Sequence, residues 1–415
     1  MSPPSSAPPA ATALRHPGFR IYLVGNSLAM MADSIEHVIS YWIAFQKFHS
    51  PALGGFAVLS HWLPFIFFAT FVGALADRYD PRRLVQIGMG LFMFCSAAWA
   101  FLFLTGSLQM WHAALLLMIH GCAGVFWGPA GQVLVYDIVG PQQLPSAVRM
   151  MATARYLGLL AGPAVGGAAL LAFGPAYGLM LNVLVYLPLM LWLWKSPYGP
   201  KFRADKTPRV AMKGFADIIS TIRAIMGERT IVSMILLSGC ASLLVGSAYQ
   251  AQMPEFALDL GHGNPDLSYS ALLAADAAGA LAGGLALEVL GLHPNPRIAF
   301  VFALAWCVAI AGFALSTSYA FALALLFAAG FLELSFNSMT QSLVQLHAPN
   351  AIRGRVIGIY TMTAIGLRAF SGISVGLLGD LIGIHRSLSL SALALLAALI
   401  VLFLFLAPHG AKKTA

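Results

Sequence analysis

Of 415 residues, 59% are hydrophobic and only 9% are charged, and the mean hydropathy is +0.81. A water-soluble domain carries about 25% charged residues, so this composition excludes one and leaves lipid as the main solvent. The net charge of +8 would suit nucleic acid, but the basic residues gather in alternate loops between apolar runs, so no nucleic-acid partner is expected.

A helix needs about 20 apolar residues to cross roughly 30 Å of hydrocarbon. Backbone groups in lipid must bond internally, which leaves helices or a closed barrel. The apolar runs lack the alternation of barrel strands, so the expected fold is an all-α polytopic membrane protein of about twelve spanning helices. Residues 1–18 are rich in Pro, Ser and Ala, without an apolar run of signal-peptide length, and read as a disordered tail. Six spans follow at about 19–45, 53–76, 84–104, 110–136, 148–173 and 177–194. A basic stretch at 195–229 then separates them from six more, at about 231–258, 268–290, 298–315, 320–346, 356–381 and 388–406. The expected organisation is an N-terminal bundle (19–194), a linker (195–229), a C-terminal bundle (230–406) and a tail (407–415). Lys and Arg mark the linker and every second loop, which places both termini in the cytoplasm by the positive-inside rule. Cys95, Cys122, Cys240 and Cys307 all lie in apolar runs and read as small hydrophobes.

The halves repeat. Gly121 and Gly330, Gln132 and Gln341, and Val135 and Val344 are each 209 positions apart, and Pro141 and Pro349 are 208 apart. Gly73 with Gly284 and Asp77 with Glu288 repeat at 211. Internal repeats with a site between them are typical of secondary transporters.

The loop after the second span reads GALADRYDPRR. Gly73 permits close helix approach. Asp77, among Arg78, Arg82 and Arg83, makes a charge cluster that can hold one conformation and break in another. Glu288, Arg353 and Arg355 are the candidate members of this gate in the other half. In the fifth span Gly158, Gly162 and Gly166 share one helical face, with Gly167 beside them, and permit tight packing; Pro163 invites a bend. The loop resembles the G-x-x-x-D-R-x-G-R-R signature of the major facilitator superfamily, with Asp80-Pro81 where Gly is commonest. The fifth-span string GLLAGPAVGG is similar to the G-x-x-x-G-P-x-x-G-G element of its exporters. The stretches LRHPGFRIYLVGNSLAMMAD, GPAGQVLVYDIVGPQQLPSAV and HAPNAIRGRVIGIYTM resemble the bacterial branch that holds the enterobactin exporter and related drug-efflux permeases. The resemblance runs from Leu14 to about Leu406. It implies two pseudo-symmetric six-helix bundles, with spans one, four, seven and ten lining a cavity, and a place in a bacterial inner membrane.

Charged residues inside spans are costly and face a cavity or a partner. On the first span Asn26, Asp33, His37 and Tyr41 recur at helical spacing with Glu36 adjacent, and Asp33 and His37, at i,i+4, can share a proton. Glu333, Asn337 and Gln341 form a second stripe on the tenth span. His61, Trp62, Trp127, Gln132, Tyr249 and Gln252 are expected to complete a cavity suited to an amphipathic organic substrate. Arg155, Asp276 and Arg368 are candidates for buried ion pairs, whereas His112 and His120 read as packing or interface residues. The expected activity is proton-coupled export of an amphipathic small molecule, siderophore or drug-like, by alternating access. Asp33 would carry the proton, with Glu36, His37 and Glu333 as alternates, and the partners would be the small molecule and lipid, with the protein a monomer. No cofactor or resident metal is expected. Two alternatives keep the fold: a lysophospholipid transporter, and a divalent-metal exporter using Asp33, Glu36, His37 and His61 as O/N ligands. With neither H-E-x-x-H nor a Walker loop, and no nucleophile elbow expected, an enzyme is not.

Overall fold

The computed structural model describes residues 12–48, 51–202, 215–246, 248–260 and 265–406. Proline opens each of the first three helices: α1 (Pro17–Phe48), α2 (Pro51–Arg78) and α3 (Pro81–Leu104). At α3 the Asp80 side chain accepts from Arg82 N and Pro81 takes the first turn, where its missing donor costs nothing. That cap accounts for Asp80-Pro81 in place of the commoner glycine.

α4 (Met110–Lys195) is helical throughout except at Gly140 (φ 69°) and Gly174 (φ 73°). Each of these takes a left-handed conformation open to glycine and precedes a proline, so α4 holds three spans, over 110–139, 141–173 and 175–195. The linker carries a short helix, α5 (Phe215–Ile225), while 203–214 fall outside the described residues. α6 (Arg229–Leu244) and α7 (Ala248–Leu260) make the seventh span, interrupted at Gly246 (φ 47°). α8 (Pro265–Val289), α9 (Pro296–Leu315) and α10 (Tyr319–His347) follow. α11 (Arg353–Thr361) and α12 (Arg368–Ile382) make the eleventh span, joined by a π-helical turn at Met362–Gly366, and α13 (Ile384–Leu406) is the last. Among the described residues nine helices are long and apolar enough to cross a membrane. One of these is the threefold α4, and α1, lowered in hydropathy by Asn26, Asp33, Glu36 and His37, completes the twelve.

Each half has its own core. Trp306, Phe256, Phe300 and Phe313 centre the C-terminal bundle, and Phe92, Trp99, Tyr22 and Tyr186 the N-terminal one. Phe67, Phe68, Leu171, Leu191 and Leu381 are exposed on the outside, the apolar surface that lipid covers. Residues 12–16, expected within a disordered tail, are ordered instead: Ala13 is fully buried and its N–H donates to Ser146 Oγ at 2.9 Å. The remainder of that tail, 1–11, and the tail at 407–415 lie outside the described residues.

The glycine face of the fifth span packs on α1. A Cβ at Gly158 would lie 2.9 Å from Met30 Cβ, and one at Gly162 would run into Ser34 Cβ. Gly167, grouped with them on sequence, has open space around it, because it falls off the packed face. Pro163 is exposed within continuous helix, and the sharp breaks come at Gly140 and Gly174. Overpacking costs about 1–3 kcal/mol, so Gly162→Leu is expected to lower the thermal midpoint in detergent while Gly167→Ala leaves it unchanged; equal effects would refute the packing assignment.

A G-x-S-x-G string does occur, at Gly372, Ser374 and Gly376. It lies inside α12, and Ser374 Oγ donates to Ser371 O at 3.3 Å. A nucleophile elbow needs a strand-to-helix turn, so this serine is not in that setting.

Candidate functional site: two buried charge clusters above a closed gate

Polar contacts between the halves gather at the end that carries the Gly73–Arg83 loop. Asp77 is buried and accepts from Gly354 N at 2.7 Å and Arg355 N at 3.0 Å, the otherwise unpaired donors at the start of α11. A Cβ on Gly73 or on Gly354 would collide with the carbonyl oxygen of the other, so glycine at both lets Asp77 reach. The loop arginines, expected around Asp77, have other tasks. Arg82 pairs with Asp80 at 2.6 Å and bonds Ser196 O, Arg83 Nη1 donates to Gln86 Oε1 at 2.9 Å, and Arg78 lies over the Tyr79 ring. They brace the loop, while the latch is carboxylate on backbone. Arg353 stacks on Tyr136 across the halves, 3.7 Å from the ring centroid.

The repeat supplies a second latch. Glu288, mate of Asp77, accepts from Arg149 Nη2 at 2.7 Å, from Arg149 Nε at 3.0 Å and from Ser146 Oγ at 2.5 Å. Sequence reading did not name Ser146 or Arg149 as gate residues. The signal was present, since Ser146 stands 208 positions before Gly354, the offset that relates the two segments. Gln132, expected in the cavity, belongs to the seal: its Oε1 accepts from Gln345 Nε2 at 3.0 Å and its Nε2 donates to Thr361 Oγ1 at 3.2 Å.

In the N-terminal half the stripe on α1 meets α2, α3 and the fourth span. His120, assigned to packing on sequence, stands between both carboxylates of α1. Its Nδ1 donates to Glu36 Oε1 at 2.8 Å, and Glu36 Oε2 accepts from Ser96 Oγ at 2.5 Å. His120 Nε2 lies 2.9 Å from Asp33 Oδ1 in an ion-pair contact, and neither atom has another partner among the described residues. His37 Nδ1 donates to Asp33 O at 2.8 Å, and its Nε2 is 3.3 Å from His61 Nδ1. Tyr41 sets its ring against His37, and Trp62 sets its ring against His61. Asn26 Oδ1 accepts from Trp127 Nε1 at 3.1 Å.

The C-terminal half holds a second cluster. Tyr249 Oη donates to Glu333 Oε2 at 2.8 Å and lies 3.2 Å from Asp276 Oδ1, and Gln250 Nε2 donates to Asp276 Oδ2 at 3.0 Å. Arg368 Nη2 reaches Glu333 Oε1 at 3.4 Å, while its Nε has no partner among the described residues. A pocket beside them is lined by Glu333, Asn337, Arg368, Ser238, Ser242 and Trp306. Of the expected ion-pair residues, Arg368 pairs with Glu333, and Asp276 is met by hydroxyl and amide. Arg155 is exposed rather than buried and makes no ion pair among the described residues; the charges acting on it are those of Arg368, Asp33 and Glu333. Gln252 is half-buried with its Oε1 unpartnered among the described residues, and Gln341 lies one turn beyond Asn337. Gln250, which sequence reading missed, is the seventh-span glutamine that reaches Asp276, whereas Gln252, expected in the cavity, does not contact that cluster.

The family model described as "transmembrane secretion effector" matches residues 8–414. The enterobactin exporter EntS of Citrobacter koseri is 23% identical over 340 residues, covering 80% of this chain and 78% of that protein. Among solved structures, the outward conformation of the transporter FucP superposes with a TM-score of 0.73 at 13% identity over 94% of this chain and 99% of that one. The human organic anion transporter MFSD10 gives 0.72 at 14% identity, over 94% and 100%. At such identities the structural likeness speaks for the fold alone, and that fold agrees with the repeat, the gate loop and the family match. The chain belongs to the transmembrane secretion effector family of major facilitator superfamily transporters.

Proposed function

We propose that the protein is a secondary transporter that exports an amphipathic anion across the bacterial inner membrane, driven by inward movement of protons. The observation that carries this reading is the dual engagement of Glu333, which pairs with Arg368 and accepts from Tyr249 beside the buried Asp276. Two carboxylates around one hydroxyl repel unless a proton is shared between them. A proton on Glu333 removes the counter-charge of Arg368 at the root of α12 and so favours one of two arrangements of the span. Asp33, expected as the proton carrier, is paired with His120, and we assign the coupling role to Glu333 instead.

With the basic loops in the cytoplasm, the latched end is the cytoplasmic one, and the state described is outward-facing. The unpartnered Nε of Arg368 and the exposed Arg155 offer donors to an anionic head, and Trp306 and Phe336 line a small pocket beside Arg368 that has to widen to admit an apolar body. The enterobactin exporter among the relatives supports an outward direction and an amphipathic cargo. A thermal-shift screen of purified protein against catecholate, carboxylate, cationic and neutral amphiphiles tests the charge preference. Anionic compounds are expected to raise the midpoint in wild type and lose most of that shift in Arg368→Gln. Stabilisation by cations alone, undiminished in Arg368→Gln, would overturn the reading.

A further inference from the structure

We propose that His37, His61 and His120, with the Asp33 carboxylate beside them as a charge partner, form a binding site for a divalent first-row transition-metal ion of the Zn²⁺ class. The site is separate from the Glu333–Arg368 cluster and does not rest on the nature of the organic cargo.

One nitrogen from each imidazole lies close to the others, the three atoms all within 4.8 Å of one another. His37 Nε2 and His61 Nδ1 are 3.3 Å apart. That is long for a hydrogen bond between nitrogens, and it is the separation, about 3.3–3.4 Å, that two nitrogens keep across a tetrahedral ion with bonds of about 2.0–2.1 Å. The tautomers agree. His37 gives its Nδ1 proton to the Asp33 carbonyl, so its Nε2 presents a lone pair toward His61. His120 gives its Nδ1 proton to Glu36, so its Nε2 is turned toward Asp33. Carbonyls and carboxylates on the far nitrogen are the usual outer partners of metal-bound imidazoles, fixing the ring and raising its basicity. Glu36 is itself held by Ser96, and Ser96 Oγ accepts from Asn182 Nδ2 at 3.2 Å, so the outer layer is anchored on two further spans.

Two atoms beside the triad have only each other. His120 Nε2 and Asp33 Oδ1 are both buried and lack hydrogen-bond partners among the described residues, although they lie 2.9 Å apart. His120 is only 5% exposed, so water from bulk does not supply the missing partner. A cation bound by both would complete them. Charge points the same way: two carboxylates, Asp33 and Glu36, stand beside the imidazoles, and a bound cation offsets them in a region where uncompensated charge is costly. Imidazole nitrogens with one carboxylate select borderline ions such as Zn²⁺, Co²⁺ and Ni²⁺ over Mg²⁺ and Ca²⁺. His37 and Asp33 remain 21% and 14% exposed, which leaves a way in.

Titrating purified full-length protein in detergent with Co²⁺ tests the site. The expected result is about one equivalent bound with the intense visible bands of tetrahedral coordination. His61→Gln and His37→Gln should abolish those bands, and Glu36→Gln should weaken affinity by about 10–100-fold. His112→Ala, at the exposed start of α4, should keep full binding. X-ray absorption of the Zn²⁺-loaded wild type needs no variant and should show three imidazole nitrogens at about 2.0–2.1 Å. Absence of saturable binding, an all-oxygen octahedral spectrum, or tetrahedral bands that persist in His61→Gln would each overturn the proposal. None of these outcomes bears on the Arg368→Gln thermal shift, so the two readings fail independently.

Discussion

In Glu333→Gln, we expect proton-driven export in proteoliposomes to fall to the level of empty vesicles, while cargo exchange without a pH gradient continues. Glutamine is nearly isosteric with glutamate and keeps an acceptor for the Tyr249 hydroxyl, which lies 2.8 Å from the carboxylate in the native chain. What it cannot do is ionise, so it cannot alternate between pairing with Arg368 and holding a proton. A neutral residue at 333 leaves Arg368 without its counter-charge throughout the cycle, and a buried pair that loses one partner costs about 3–5 kcal/mol. The variant should therefore fold less stably yet still rock between states. Asp33→Asn, which touches the other cluster, should retain pH-driven flux. If Asp33→Asn instead abolishes it and Glu333→Gln does not, coupling belongs to the N-terminal half and this assignment is wrong.

Asp77→Ala is expected to shift the molecule toward the state in which the latched end is open. The native carboxylate takes two backbone hydrogen bonds, at 2.7 and 3.0 Å, from the N-terminus of α11. Hydrogen bonds to a charged group contribute about 1.5–3 kcal/mol each, so their joint loss costs about 3–6 kcal/mol. At about 1.4 kcal/mol per tenfold change, the balance between states moves on the order of 10² to 10⁴. Spin labels at Tyr79→Cys and Asn295→Cys, both exposed positions near the seal, would report the change as a longer distance population. A population identical to that of the native chain would rule out the latch, and with it the role given to the Gly73–Gly354 contact.

Much of this architecture is written plainly in the chain. The lipid environment follows from composition, the six-plus-six arrangement from the repeat, and the contact of the fifth span with α1 from the spacing of Gly158, Gly162 and Gly166. The stripe of Asp33 and His37 also lies together, because helical spacing within one span fixes which side chains share a face. Relations between spans were harder to read. His120 looks like one more packed side chain until α1 and the fourth span are brought together, and only then do Asp33 and Glu36 flank it. Gln132 and Gln341 are repeat mates, yet Gln132 joins the seal through Gln345 and Thr361. Arg155 illustrates the converse: a charge within a span suggests an ion pair, but the residue is exposed and makes none among the described residues. Periodicity gives a direction around one axis and carries no information on how that axis is turned against its neighbours.

The five-residue turn at Met362–Gly366 gives the eleventh span an ability that a regular helix lacks. It closes hydrogen bonds over one residue more than an α-helix does, and so stores one residue of slack between α11, gripped by Asp77, and α12, headed by Arg368. Taking up that slack would advance every later side chain by one position, about 100° of rotation and 1.5 Å of rise. Arg368 would then swing off Glu333 as one end of a short crankshaft whose other end stays fixed at Gly354. A single span could thus be turned at its outer portion while its inner portion remains clamped, and the two clusters need not move in step.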